Sequence, residues 1–209
     1  MGSMRTPPSR SWHGVSADDR RAQRRTRILA AGTELLGTGG GRAVTVRAVC
    51  RAAGVSERYF YESFPSRDEL VAAVFATTAE GLMRHMQAVV ASAPAEVAAR
   101  ARAFVSGAID FFAADPRRGR VLVREAMTEP ALSQQGLHAA PALLGALLVG
   151  VAAPEPDAES RLISGAVLGL GIGALIVAWI DGQVDVEREA LVEHCTLLVR
   201  RAVTPSESG

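Results

Sequence analysis

The sequence predicts an all-α protein, with a small N-terminal three-helix unit ahead of a larger helical body. Three observations carry this. Of 209 residues, 48% are hydrophobic but only 5% aromatic, and alanine is abundant throughout; that mix favours helices over sheets. Apolar residues recur at i, i+3, i+4 and i+7 in segment after segment, the spacing of one helical face. No stretch alternates apolar and polar residues as a half-buried strand requires.

Residues 1–17 read as a disordered arm, interrupted by Pro7, Pro8 and Gly14, and Met1-Gly2-Ser3 ahead of Met4 has the look of an expression scar. The first helix covers 18–36. Ile28, Leu29, Gly32, Leu35 and Leu36 line one face, and Arg20, Arg21, Arg24, Arg25 and Arg27 crowd its first half. Thr38-Gly39-Gly40-Gly41 stops it. Thr45 caps a short second helix whose Val46, Val49, Cys50 and Ala53 form a buried stripe. Gly54-Val55 breaks the chain, and the Ser56 hydroxyl is placed to cap a third helix over 57–63. There Phe60, and then Phe64, turn inward, leaving Glu57, Arg58, Tyr59, Tyr61 and Glu62 outside.

Ser66 and Glu69 have the spacing of a capping box, which opens a long fourth helix over 67–91. Pro94 opens a fifth, to about residue 114. Asp115-Pro116, an N-cap with proline at the first helical position, starts a sixth to about residue 127. A helix over 130–151, bent at Pro141, is expected next. Pro154-Glu155-Pro156 forms a linker, 162–180 an apolar helix, and 186–203 a last helix stopped by Thr204-Pro205. Residues 205–209 read as a disordered tail.

The formal net charge is +1, which excludes a protein that coats nucleic acid by charge alone. All the positive side chains are arginine, and the total hides an asymmetry. Residues 1–70 hold 12 Arg against 7 Asp and Glu, while 71–209 hold 11 against 15. A basic head and an acidic body point to two jobs in one chain. Cys50 and Cys195, each on an apolar face, read as small buried hydrophobes rather than a disulfide scaffold. The first 27 residues lack the apolar core of a signal peptide.

Two short helices joined by a glycine turn, the second studded with exposed Arg and Tyr, make a helix-turn-helix pattern. Over 28–70 the residues quoted above gather into something more specific: Ile28-Leu29-Ala30-Ala31 opening the first helix, Thr45 before the second, Ala53-Gly54-Val55-Ser56 at the turn, then Tyr61, Phe64, and Arg67 followed by Leu70. In this order and spacing the segment resembles the DNA-binding domain of the TetR family of transcriptional repressors. The resemblance implies a DNA-binding helix-turn-helix domain over 18–65 and an effector-binding and dimerisation domain over 66–204. It also implies a homodimer on near-palindromic double-stranded DNA, and a cytoplasmic location.

Physical chemistry suggests roles for individual side chains. Arg58 is the candidate for two parallel hydrogen bonds to guanine in the major groove, with Tyr59 beside it on a thymine methyl or a phosphate. The resemblance places Tyr61 on a phosphate. Thr45, Ser56 and Arg67 stand at helix starts, where amides and dipole favour phosphate, and Arg47, outward on the second helix, is the candidate for another backbone or base contact. Glu57 and Glu62 depart from the pattern, because they repel phosphate unless paired to arginine or aimed at a cytosine amino group.

The resemblance further implies a small effector in the larger domain. Met86, Phe104, Phe111, Phe112, Met127 and Trp179, with Met83 beside them and His85 and His138 as polar anchors, are candidate pocket residues for a mainly hydrophobic ligand. The run 162–180, too apolar for a monomer's surface, and the stripe at 191–202 are expected to form a four-helix dimer interface. Gly165, Gly169, Gly173, Leu191, Cys195 and Leu198 are the candidates there. Two reading heads would then reach half-sites roughly 34 Å apart.

Two rival readings stand beside this one. The 19 uncharged residues of 162–180 would make a helix of about 28 Å, long enough to cross a bilayer; no membrane association is expected, because its neighbours read as ordinary amphipathic helices. An enzyme would need a nucleophile elbow, a metal-binding helix or a phosphate loop, and none of these motifs is present. No cofactor or metal is called for.

Overall fold

The computed structural model describes residues 16–132 and 158–203, and every regular element among them is helical. Helix α1 (Ala17–Gly39) begins inside the expected arm. Its start is a complete capping box: the Asp19 amide donates to the Ser16 hydroxyl at 2.9 Å, and the Ser16 amide to the Asp19 carboxylate at 3.2 Å. Such a cap contributes about 1 kcal/mol, enough to order a polar start that hydrophobic patterning does not mark.

Helices α2 (Val46–Ala53) and α3 (Glu57–Ser63) form where expected. The Ala48 amide donates to the Thr45 hydroxyl at 3.2 Å. Gly54 ends α2 at φ 63° and ψ 41°, a left-handed conformation that a side chain would strain. Ser56 occupies the N-cap of α3, but its hydroxyl makes no capping bond, contrary to expectation. Ile28, Leu36, Val49, Phe60, Phe64 and Leu70 close the core of this three-helix unit.

Helix α4 (Arg67–Ser92) belongs to both halves of the molecule. Its first turns pack on α1, where a Cβ on Gly32 would come within 3.0 Å of Val74; its later turns pack on α5 (Val97–Ala114). Only half of the expected box appears at its start, the Glu69 amide donating to the Ser66 hydroxyl at 3.1 Å. The expected sixth helix is not uniform. Helix α6 (Pro116–Gly119) runs into a π-helical stretch (Arg120–Glu125) and a final turn, α7 (Ala126–Thr128). The expected helix over 130–151, the 154–156 linker and the tail lie outside the described residues, apart from a turn at 130–132.

Helix α8 (Ala158–Ile180) packs against α5 and the π-helical stretch, and α9 (Arg188–Val203) lies along α5. The Trp179 indole donates to the Val186 carbonyl at 2.8 Å and fixes the turn between them. Met86, Val105, Ile109, Phe112, Ile176 and Val192 make the core of this second half.

Candidate nucleic-acid interface and effector cavity

Helices α2 and α3 present several exposed polar and aromatic side chains. Arg47 and Arg58 are 91% and 85% exposed, and Tyr59, Tyr61, Thr45 and Ser56 share the surface. The Tyr61 ring packs edge-on against buried Phe60, with centroids 5.3 Å apart, so it is braced while its hydroxyl end is free to reach outward. Both awkward carboxylates are paired. Glu62 accepts from Arg58 Nε at 3.2 Å, and Glu57 lies 3.7 Å from Arg47 Nε. Each glutamate thus stands beside an arginine, and the end-on amino groups of Arg58 stay available.

The arginines of α1 have a use that periodicity does not indicate. Arg21 donates to the Glu62 carbonyl at 3.1 Å and Arg25 to that of Ser63 at 2.7 Å. Arg24 lies over the Tyr59 ring at 4.4 Å, and Arg25 over Phe64 at 4.2 Å. Helix α3 has no basic residue in its last turn, so α1 supplies the cations that its carbonyl end favours.

Arg67 is placed differently from expectation. Nε donates to the Val44 carbonyl, Nη1 to Asp68 and Glu129, and Nη2 to the Gly41 carbonyl and Glu129, all within 3.1 Å. Five donors are spent on five acceptors, so none is left for a phosphate. The partner, Glu129, is 62 residues away, beyond the reach of local patterning. The paired guanidinium holds the Glu129 carboxyl below the ordinary glutamate range, against some desolvation.

Between α4, α5, the π-helical stretch and α8 lies a cavity of about 310 Å³, the lower end of the range for small-molecule sites. Met83, Met86, Phe104 and Phe112 line it, as expected. Leu122, Val123, Leu168 and Ile172, which the sequence did not single out, line it too. Glu80 is the one ionisable side chain among the described lining residues. Four expected members do not join them. Phe111 is buried beside the wall, stacked 5.5 Å from His85 and covered by Arg118. His85 itself is committed to the Gly107 carbonyl at 3.1 Å. Met127 is 70% exposed, and Trp179 is held at the α8–α9 turn. His138 lies outside the described residues.

The expected interface residues are also redistributed. Gly165, Gly169 and Gly173 face the cavity of their own protomer, and a Cβ on Gly173 would meet Val123 at 3.1 Å. Leu191 and Cys195 are buried in the same protomer's core. The outward face of α8 is instead Ile163, Val167, Gly171 and Ala174, at i, i+4, i+8 and i+11. On α9, exposed Leu197 adjoins exposed Leu198, the one expected interface residue that stays outside. The window Ile163–Ile180 has a mean hydropathy of 2.2, enough to cross a membrane by length and composition. Its inner face, with buried Ile172, Ile176 and Val177, is taken up by the protein's own core.

Residues 28–74 match the family described as "Bacterial regulatory proteins, tetR family". No curated protein matches the chain in sequence. Among solved structures, the fatty acid degradation regulator FadR from Bacillus halodurans superposes with a TM-score of 0.67 at 18% identity, covering 84% of this chain and 94% of that one. A TetR family transcription regulator from Marinobacter aquaeolei VT8 gives 0.63 at 18% identity, with 89% and 98% covered. The multidrug binding protein EbrR, complexed with imidazole, gives 0.61 at 23%, with 88% and 97% covered. Over most of its length the chain therefore has the all-helical fold of these regulators.

Proposed function

We propose, from the match of residues 28–74 to the family described as bacterial regulatory proteins, tetR family, that this chain is a ligand-responsive transcriptional repressor. In this reading residues 18–65 bind DNA and 66–204 bind effector and dimerise in the cytoplasm. The observation that carries it is the exposure of Arg47, Arg58, Tyr59 and Tyr61 together on the α2–α3 pair, whose second helix is tied to α1 through Arg21 and Arg25.

On this reading Arg58 reads guanine. Glu62 engages Nε, and the two terminal amino groups match the O6 and N7 acceptors of the base. Tyr59, held under Arg24, contacts a neighbouring thymine methyl or phosphate. Thr45, Ser56, Arg47 and Tyr61 contact phosphates and fix the register. Arg67 acts from behind, by holding the loop that leads into α2.

The apolar cavity suits a small, mainly hydrophobic effector, and its wall of glycines leaves room that side chains would fill. The names FadR and EbrR belong to proteins of similar fold, described as a fatty acid degradation regulator and a multidrug binding protein, which fits an apolar ligand. The exposed stripes of α8 and α9 favour a homodimer built on Ile163, Val167, Ala174, Leu197 and Leu198, since apolar area of this kind gains by leaving water. An effector that prefers the conformation with the heads wrongly spaced releases the DNA.

The test is selection of duplexes from a random-sequence pool, together with the promoter next to the protein's own gene. A near-palindromic motif bound with steep salt dependence is expected, and release by a neutral apolar probe, N-phenyl-1-naphthylamine, at concentrations that fill the cavity. Absence of any enriched motif overturns the reading.

A further inference from the structure

We propose that Glu125 and Glu129 are positioning residues that tie the wall of the effector cavity to the loop that sets the first reading helix. This rests on the function proposed above and deepens it by assigning the connection to two named carboxylates.

Both glutamates are buried, Glu125 at the end of the stretch that forms the cavity wall and Glu129 one helical turn further on. Leu122 and Val123 of the π-helical stretch line the cavity, and Glu125 ends the same stretch. Its carboxylate reaches across 84 residues of sequence to accept from the Gly41 amide at 2.9 Å. Glu129 grips Arg67 through two parallel bonds at 2.7 and 2.9 Å, and Arg67 in turn donates to the Gly41 and Val44 carbonyls. The residue after Val44 is Thr45, the N-cap of α2. Cavity wall, carboxylates, loop and helix start are thus joined without a gap.

The joint is built for close contact. A Cβ on Gly41 would run into the Glu129 carboxylate, so only glycine admits this approach. From the first and the penultimate residue of the π-helical stretch, Arg120 and Arg124 donate to Asp181 at 2.7 and 3.1 Å, anchoring it to the C-terminal end of α8. The stretch is therefore tied both to α8 and to the Gly41–Val44 loop. A π-helical segment is a less regular, more readily rearranged piece of helix, often found at functional positions. Hydrogen bonds are short and directional, so a wall displaced by a ligand must either carry the Gly41–Val44 loop with it or break them.

The experiment is a cycle on the full-length protein, read as affinity for a duplex selected from the random pool. Leu122→Trp puts a large side chain where an effector would sit. It is expected to weaken DNA binding by about tenfold, inside the range that coupling between sites spans. In the Glu125→Leu/Glu129→Leu background, which roughly keeps side-chain size but removes the acceptors for the Gly41 amide and for Arg67, the same substitution is expected to change affinity by less than about twofold. An equal effect in both backgrounds overturns the proposed connection and leaves the regulatory reading intact. No effect in either background overturns control of DNA by the cavity, and the connection with it. Gly41→Ala, which pushes the Glu129 carboxylate aside while leaving both glutamates in the sequence, must uncouple in the same way, so a folding failure of the double variant does not leave the question open. Helix content by circular dichroism identifies such a failure.

Discussion

The Arg25 guanidinium donates to the Ser63 carbonyl at 2.7 Å, joining the first turns of α1 to the last turn of α3. A seven-residue helix is too short to be stable alone. Its far end is completed by Arg21 and Arg25, and its ring face by Arg24 over Tyr59. Arg25→Ala removes a charged hydrogen bond and a cation over Phe64, and is expected to cost about 1 kcal/mol. Faster amide exchange in α3 than in α2 is the measurement. Uniform exchange in both would show that α1 does not brace the reading helix.

Arg58 and Tyr61 are expected to fail differently. Arg58→Ala should lose about 1–3 kcal/mol of discrimination at one base pair while non-specific binding, dominated by phosphates, changes little. Tyr61→Phe keeps the ring against Phe60 and removes only the hydroxyl; it should weaken all duplexes alike, by about 1 kcal/mol. Titrations against selected and scrambled duplexes separate the two. An unchanged base preference in Arg58→Ala removes it from base reading.

These contrasts mark what the sequence could disclose. The reading unit was legible because its signals are local: Thr45 as cap, Gly54 at a left-handed turn, Phe60 inward with Tyr61 outward. Arg67 was misplaced because its partner lies 62 residues away, and nothing near it in sequence distinguishes an inward guanidinium from an outward one. The outward face of α8 was illegible for another reason. A helix apolar all round has no polar side to orient it, so Gly173 and Val167 look equivalent until Val123 is seen against one and solvent against the other. The π-helical stretch carries no periodic signature, and an N-cap with proline at its start predicts only that a helix begins.

The outward stripe gives its own prediction. Val167→Glu places a charge in the middle of the exposed face of α8, away from the cavity and from the protomer's core. It should leave the fold intact and weaken dimerisation by about 2 kcal/mol or more, seen as a shift to monomer in sedimentation. Gly169→Ala, on the inner face, should leave the oligomer unchanged while narrowing the cavity. If instead Gly169→Ala dissociates the dimer, the glycine face is the interface.

Acid sensitivity follows from the carboxylates held by arginine. Glu129 lies below its ordinary range through Arg67, with Asp68 opposing, and Asp181 is lowered by Arg120. In the unfolded chain both titrate at about pH 4. Between that value and the lower folded ones, the unfolded state binds more protons, so stability rises with pH there. The contribution is complete above the unfolded values and is lost as pH falls through the folded ones. Glu129→Gln removes one such group. The variant should be less stable at neutral pH, and its melting temperature should fall less steeply than wild type between about pH 5 and pH 3. Parallel slopes for Glu129→Gln and wild type would mean that the Arg67 pair gives the folded state no preference for the charged carboxylate.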